Sequence, residues 1–222
     1  MSKECRGKLQ LYPAAESLSV AVVDIGKPGK SFGWALSGPS ASPGGSDIDE
    51  CVATLAEALR SGPLALGFEA PMFVPMRDDP TRLTKARKGE CVNGLNRPFS
   101  AAAGASVLVT ALVVVPYVLE RLKRAVPDAI ATLDWTVPPS RPGSMLLFEA
   151  FVTNQRKTTD TRHVEDARAA IAAFCRELAD PAGHPNPVSE DSCLSLLGAM
   201  MTRTGWSNDV RALTHSCLVV RA

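Results

Sequence analysis

The sequence of 222 residues predicts an α/β fold in which helices flank a mixed β-sheet. Three apolar runs, at residues 18–24, 64–70 and 145–153, have the length and composition of strands that are buried on both faces. Residues 47–60 and 158–178 instead repeat their apolar residues at helical spacing. Buried strands that alternate with amphipathic helices are typical of α/β domains.

The first predicted strand, Leu18 to Asp24, ends on an acidic residue and is followed by a tight turn with two glycines. The chain then returns as a short strand at residues 31–36, which we expect to pair antiparallel with the first. Asp47 is placed to cap the next helix, with Glu50 three residues later. The second buried strand ends at Glu69.

Residues 72–98 are the least regular part of the chain and predict a long basic insertion with one helical turn, at Thr81 to Lys88. Segments of this length without regular structure are usually functional or disordered in compact domains. The basic residues of the insertion are Arg77, Arg82, Lys85, Arg87, Lys88 and Arg97.

Ser100 to Leu119 carries no charged residue over twenty positions, a length that can span a bilayer. Pro116 interrupts this run, and the basic residues at 121–124 suit a helix C-terminus that emerges into water. Nothing else in the chain suggests a membrane. We therefore expect no membrane association and a helix buried against the sheet, with a membrane span as the alternative.

The last third of the chain places further acids on predicted elements. Glu149 lies in the third buried strand, and His163 and Asp166 lie near the start of the helix that follows. Asp191 lies in the first turn of a last predicted helix, from Ser189 to Thr204. Acids near a helix start have a purely structural explanation, because the helix dipole favours them there.

The overall composition indicates a cellular compartment but does not identify a binding partner. The formal net charge is +1, which gives no whole-molecule argument for binding nucleic acid. The six cysteines form no CxxC pair, so a structural zinc site is not expected, and their scatter fits a reducing, cytoplasmic setting. Residues 1–17 lack a signal-peptide core, and we expect a flexible lead-in to a single domain over residues 18–222.

The acids at the strand ends predict a divalent cation. Asp24 and Glu69 would lie side by side if their strands are parallel neighbours, with Glu149, Asp166 or Asp191 as further ligands. Carboxylates brought together repel one another, and a cation removes that cost. Oxygen ligands without a Cys or His cluster favour Mg²⁺ or Mn²⁺. Two such ions can hold the attacking and leaving oxygens of a phosphodiester.

Three short motifs carry a family resemblance: Val-Val-Asp24-Ile-Gly, Gly-Phe-Glu69-Ala-Pro and His163-Val-Glu-Asp166-Ala. Their order, over roughly residues 19–204, resembles the ribonuclease H-like superfamily. The closest similarity is to its Holliday-junction-resolvase-like branch and to predicted nucleases of unknown function grouped there. The resemblance implies metal binding by Asp24, Glu69 and Asp166, with His163 beside the site. It also implies a homodimer as one expected state, since that branch often dimerises.

The resemblance implies a metal-dependent nuclease acting on DNA or RNA, and Lys85, Arg87, Lys88 and Arg97 are the candidates for phosphate contacts. One alternative is a non-catalytic module that binds nucleic acid or a small ligand. Another follows from the turn after Asp24, which also resembles the phosphate-binding turn of actin-like ATPases and sugar kinases. The chain is too short for the two halves that those proteins need. In addition, the sequence shows only two clear strands before the first helix, where the superfamily has three.

Overall fold

A seven-stranded mixed sheet flanked by helices organises the chain in a computed structural model, which confirms the predicted α/β fold. The structure describes residues 17–39, 42–91, 98–137, 139–152, 162–178 and 186–222. Most of the expected lead-in and Arg97 lie outside the described residues.

Nine strands and four α-helices are formed within the described ranges. The strands are β1 (Ser19–Asp24), β2 (Gly33–Ser37), β3 (Gly44–Gly45), β4 (Leu64–Glu69), β5 (Phe73–Pro75), β6 (Ile130–Thr132), β7 (Ser144–Phe151), β8 (Cys193–Ser195) and β9 (Val219–Arg221). The helices are α1 (Ile48–Ser61), α2 (Ala102–Ala125), α3 (Arg162–Leu178) and α4 (Leu196–Arg203). The predicted last helix therefore begins later than expected, because residues 193–195 form a strand and Ser195 caps the helix.

The strand order in the sheet is β3-β2-β1-β4-β7-β6, and β9 pairs with the other end of β7. The first three strands form an antiparallel meander, whereas β1, β4 and β7 are parallel. The third strand of the meander is only Gly44–Gly45, which explains why the sequence does not reveal it. This arrangement is compatible with a ribonuclease H-like fold, and it places the carboxyl ends of β1, β4 and β7 along one edge of the sheet.

Helices cover both faces of the sheet because alternate residues of each buried strand point to opposite faces. One face packs against α1, α4 and the C-terminal half of α2, and the other packs against α3. Asp47 caps α1 as predicted, since its carboxylate accepts hydrogen bonds from the backbone N–H groups of Asp49 and Glu50. On the α3 face, the rings of Phe148 and Phe174 stack 4.6 Å apart.

The long apolar helix α2 is buried along only part of its length, which differs from the expectation. Its C-terminal half packs into the core, but Val109 and Val113 are 63% and 72% exposed. Among the described residues it is the one helix long and apolar enough to cross a membrane, with 28% of its most apolar window buried. A single such helix with a core-packed half is consistent with a soluble protein.

The insertion, residues 72–98, is tied to the sheet by a buried ion network of Arg87, Glu90 and Glu149. The guanidinium of Arg87 donates to both carboxylate oxygens of Glu149, at 2.6 and 2.8 Å, and to Glu90 at 3.1 Å. All three side chains are fully buried. Burial alone would lower the pKa of Arg87, but the charges and hydrogen bonds of Glu149 and Glu90 outweigh it and raise the pKa.

Two further contacts order the insertion around this network. Strand β5 pairs antiparallel with β8, and Glu149 accepts a hydrogen bond from the backbone N–H of Met72 at 2.8 Å. The helical turn expected at residues 81–88 is shorter and begins one residue earlier, as a 3₁₀ helix at Pro80–Arg82. The insertion is therefore ordered where it is described, and it depends on a charge that the core strand β7 supplies.

We expect Arg87→Met to lower the free energy of unfolding by about 3–5 kcal/mol, because it leaves Glu149 and Glu90 buried without their counter-charge. Urea denaturation measures this change. The matched control is Lys88→Met, since Lys88 pairs at the surface with Asp191 and surface pairs contribute little. A loss below about 1 kcal/mol for Arg87→Met would contradict the role of the network.

Candidate metal centre

Asp24 and Glu69 lie side by side at the carboxyl ends of β1 and β4. The two strands are parallel, and their register pairs Asp24 with Glu69. Because side chains on directly paired residues point to the same face, both carboxylates lie on the face covered by α3. Strand register alone therefore brings together the two acids that the sequence singled out.

The first turns of α3 bring a third acid and a histidine to this pair. One oxygen from each of Asp24, Glu69 and Asp166 lies within 4.8 Å of the others. His163 and Asp166 are three residues apart, so they share one face of the helix. Nδ1 of His163 lies 2.5 Å from Oδ2 of Asp24, a hydrogen bond in which the imidazole N–H donates to the carboxylate. We call Asp24, Glu69 and Asp166 the acidic cluster.

Two glycines allow α3 to approach the sheet closely enough for this geometry. A Cβ atom at Gly33 would lie 2.5 Å from Cβ of His163 and 2.7 Å from its carbonyl carbon. A Cβ atom at Gly44 would lie 3.0 Å from Cγ1 of Val164. Any side chain at Gly33 must therefore displace the first turn of α3. This role of Gly33 was not predicted from the sequence, although a lone glycine in a strand signals close approach of another backbone.

The donor set of the acidic cluster fits a hard divalent cation. Asp24 and Asp166 are only 7% and 8% exposed, and Glu69 is half-buried. Three carboxylates held together away from water repel one another unless a positive charge lies between them. Oxygens bound to one Mg²⁺ lie at most about 4.2 Å apart, twice its bond length. Small side-chain movements would bring the oxygens of the cluster within that span.

Glu149 and Asp191 lie outside the acidic cluster, although the sequence left both open as ligands. The partner of Glu149 on β4 is Phe68, not Glu69, so its side chain lies on the opposite face of the sheet, where it pairs with Arg87. Asp191 is exposed and pairs with Lys88 at 2.6 Å. The hydrogen bond from Lys88 and its charge lower the pKa of Asp191. Of the three candidate third acids, the structure brings Asp166 to the pair.

The basic residues proposed for phosphate contacts have different surroundings. The expectation for Arg87 is wrong, because its guanidinium is fully buried in the ion network. Lys88 is half-exposed and already pairs with Asp191, and Lys85 is exposed. Contacts from Lys85 and Lys88 to a phosphate stay a prediction, and Arg97 lies outside the described residues.

In the glycine-rich turn after β1, several backbone N–H groups donate hydrogen bonds to acceptors within the turn. The carbonyl oxygen of Lys27 accepts from the backbone N–H groups of Lys30, Ser31 and Phe32. The N–H of Lys27 donates to the hydroxyl of Ser31 at 3.0 Å. A phosphate-binding turn needs N–H groups that point at the ligand. This turn therefore offers no support for the actin-like alternative.

We expect Gly33→Ala to weaken metal binding while the protein still folds. The added methyl would push the first turn of α3 away from β2 and separate Asp166 from the other two acids, at a cost of about 1–3 kcal/mol. The rise in Tm with added Mn²⁺ measures the effect. The control is Gly45→Ala, where the new methyl would meet the movable end of Glu50 at 3.2 Å and the ring of Trp34 at an ordinary contact distance of 3.4 Å. A wild-type Mn²⁺ response in Gly33→Ala would refute the positioning role.

Comparison of the chain with protein-family models, with curated proteins and with solved structures found no match. A functional assignment therefore has to rest on the site itself.

Proposed function

We propose that this protein is a divalent-metal-dependent phosphodiesterase, a nuclease that acts on DNA or RNA, with a ribonuclease H-like fold. The observation that carries the proposal is the convergence of Asp24, Glu69 and Asp166 within 4.8 Å at the carboxyl edge of the sheet. Ligands of open α/β sheets gather at this edge.

The positions of the acids support the same assignment. The resemblance assigns metal ligands to the end of the first strand, the end of the fourth strand and a late helix. Asp24 ends β1, Glu69 ends β4 and Asp166 lies on α3.

The acidic cluster would hold Mg²⁺ or Mn²⁺, which supplies Lewis-acid stabilisation of the charge that develops on phosphate oxygens. The side chains of the chain provide the frame for that chemistry. Asp24 and Glu69 are fixed by strand register, and Asp166 by the packing of α3. His163 is a positioning residue, because its bond to Oδ2 of Asp24 fixes the orientation of that carboxylate.

A cytoplasmic location belongs to the same proposal. Cys51, Cys193 and Cys217 are buried thiols, and thiols persist in reducing compartments. The apolar helix α2 packs its C-terminal half into the core, as expected of a soluble protein.

We expect Asp24→Asn, Glu69→Gln and Asp166→Asn each to lower Mn²⁺-dependent cleavage of a labelled oligonucleotide by more than about 100-fold. Each change removes a ligand from a cation that provides several kcal/mol of charge stabilisation. Asp191→Asn is the matched control, since it alters an exposed acid outside the cluster. Cleavage by a purified Asp24→Asn protein at the wild-type rate would exclude the assignment.

A second measurement separates metal binding from catalysis. At a Mn²⁺ concentration about 100 times its Kd, the Tm of the wild-type protein should rise by roughly 5–10 °C, since the ion binds only the folded state. The three cluster variants should lose this rise, and Asp191→Asn should keep it. A rise without any cleavage would favour a non-catalytic binding module on the same fold.

A further inference from the structure

A small cavity of about 80 Å³ opens beside Glu69, at the carboxyl edge of the sheet. We call it the strand-end pocket. Its walls come from three elements: the residues that follow β4, the end of β7 and the first turns of α2. The lining residues are Glu69, Ala70, Pro71, Ala103, Gly104, Val107, Ala150, Phe151 and Val152.

Apart from Glu69, every described side chain that lines the strand-end pocket is apolar. The wall formed by α2 belongs to a run without any charged residue from Ser100 to Leu119. Within the part of the chain that the structure describes, a phosphate group would find no cation in this wall. The pocket therefore suits an uncharged, flat or apolar group that lies next to whatever the acidic cluster binds.

The geometry points to the substrate class of the proposed nuclease: we infer that the strand-end pocket receives an unpaired nucleobase next to the phosphate held at the acidic cluster. This inference rests on the proposed function and makes the substrate single-stranded. The ring would enter between the first turns of α2 and Phe151, and its sugar–phosphate would stay outside, towards Glu69.

The size of the strand-end pocket indicates that it can hold one nucleobase and not a base pair. Pockets that enclose a whole drug-sized ligand measure about 300–1,000 Å³. A cavity of about 80 Å³ can take one compact group of a larger substrate, and it has no room for a base pair. A base that is stacked and paired in a duplex cannot reach it, whereas a base in a single strand is free to turn in.

The position of Ala103 gives a direct test. Ala103 lines the pocket and is exposed, so a larger side chain there fills the mouth without disturbing the core. Val109 does not line the strand-end pocket, lies about 120° around the same helix from Ala103 and is 63% exposed, so Val109→Phe is the matched control. Ala103→Phe and Val109→Phe should both melt close to the wild-type temperature, and both should keep the Mn²⁺-induced rise in Tm.

The probe is a fluorescein-labelled thymidine strand of about ten nucleotides, and fluorescence anisotropy in Ca²⁺ measures its Kd. A second strand of the same length carries abasic sites in its central part. The wild-type protein and Val109→Phe should bind the base-containing strand roughly tenfold more tightly than the abasic strand. Ala103→Phe should lose this preference, and Ala103→Leu should reduce it.

The outcomes separate this inference from the proposed function. Equal binding of the two strands by the wild-type protein, or a retained preference in Ala103→Phe, would overturn the pocket assignment even if Mn²⁺-dependent cleavage is observed. Base-dependent binding that Ala103→Phe abolishes supports the pocket, and the absence of cleavage would then refute only the nuclease assignment.

Discussion

The parallel register of β1 and β4 is the constraint on which the candidate site depends. It pairs Asp24 with Glu69 and therefore holds two carboxylates together at the sheet edge. This arrangement is unfavourable without a counter-charge, and α3 adds a third carboxylate along with His163, whose Nδ1 lies 2.5 Å from Oδ2 of Asp24. A fold that needed only stability would place a lysine or arginine there. The acidic cluster therefore supports the proposed cation site.

Glu149, the buried acid of strand β7, has the opposite environment, because a basic side chain of the protein neutralises it. Glu149 lies one position out of register with Glu69, so the alternation of side chains sends it to the other face. There Arg87 and the N–H of Met72 satisfy its carboxylate, and the insertion is anchored as a result. One face thus carries the acids of the proposed cation site, and the other carries an acid neutralised within the protein. A shift of one residue decides between these two roles.

The helix α2 combines two environments in one apolar segment. Its C-terminal half completes the core, while its first turns extend to the carboxyl edge and form a wall beside Glu69. A wall without charge next to three carboxylates gives the site a polar and an apolar side. This pairing is what links the proposed chemistry at a phosphate to the proposed recognition of a base. The apolar composition of the helix thus serves both the core and the edge.

The sequence by itself determined the α/β class, the buried strands that end in Asp24 and Glu69, and the oxygen character of the ligands, because these follow from local apolar patterns and residue type. Only the tertiary structure decided among Glu149, Asp166 and Asp191, because strand register and helix packing join residues far apart in the chain. It also showed Arg87 to be a buried counter-charge and Gly33 a point of close helix approach. Neither role leaves a local pattern, since each is defined by a distant partner.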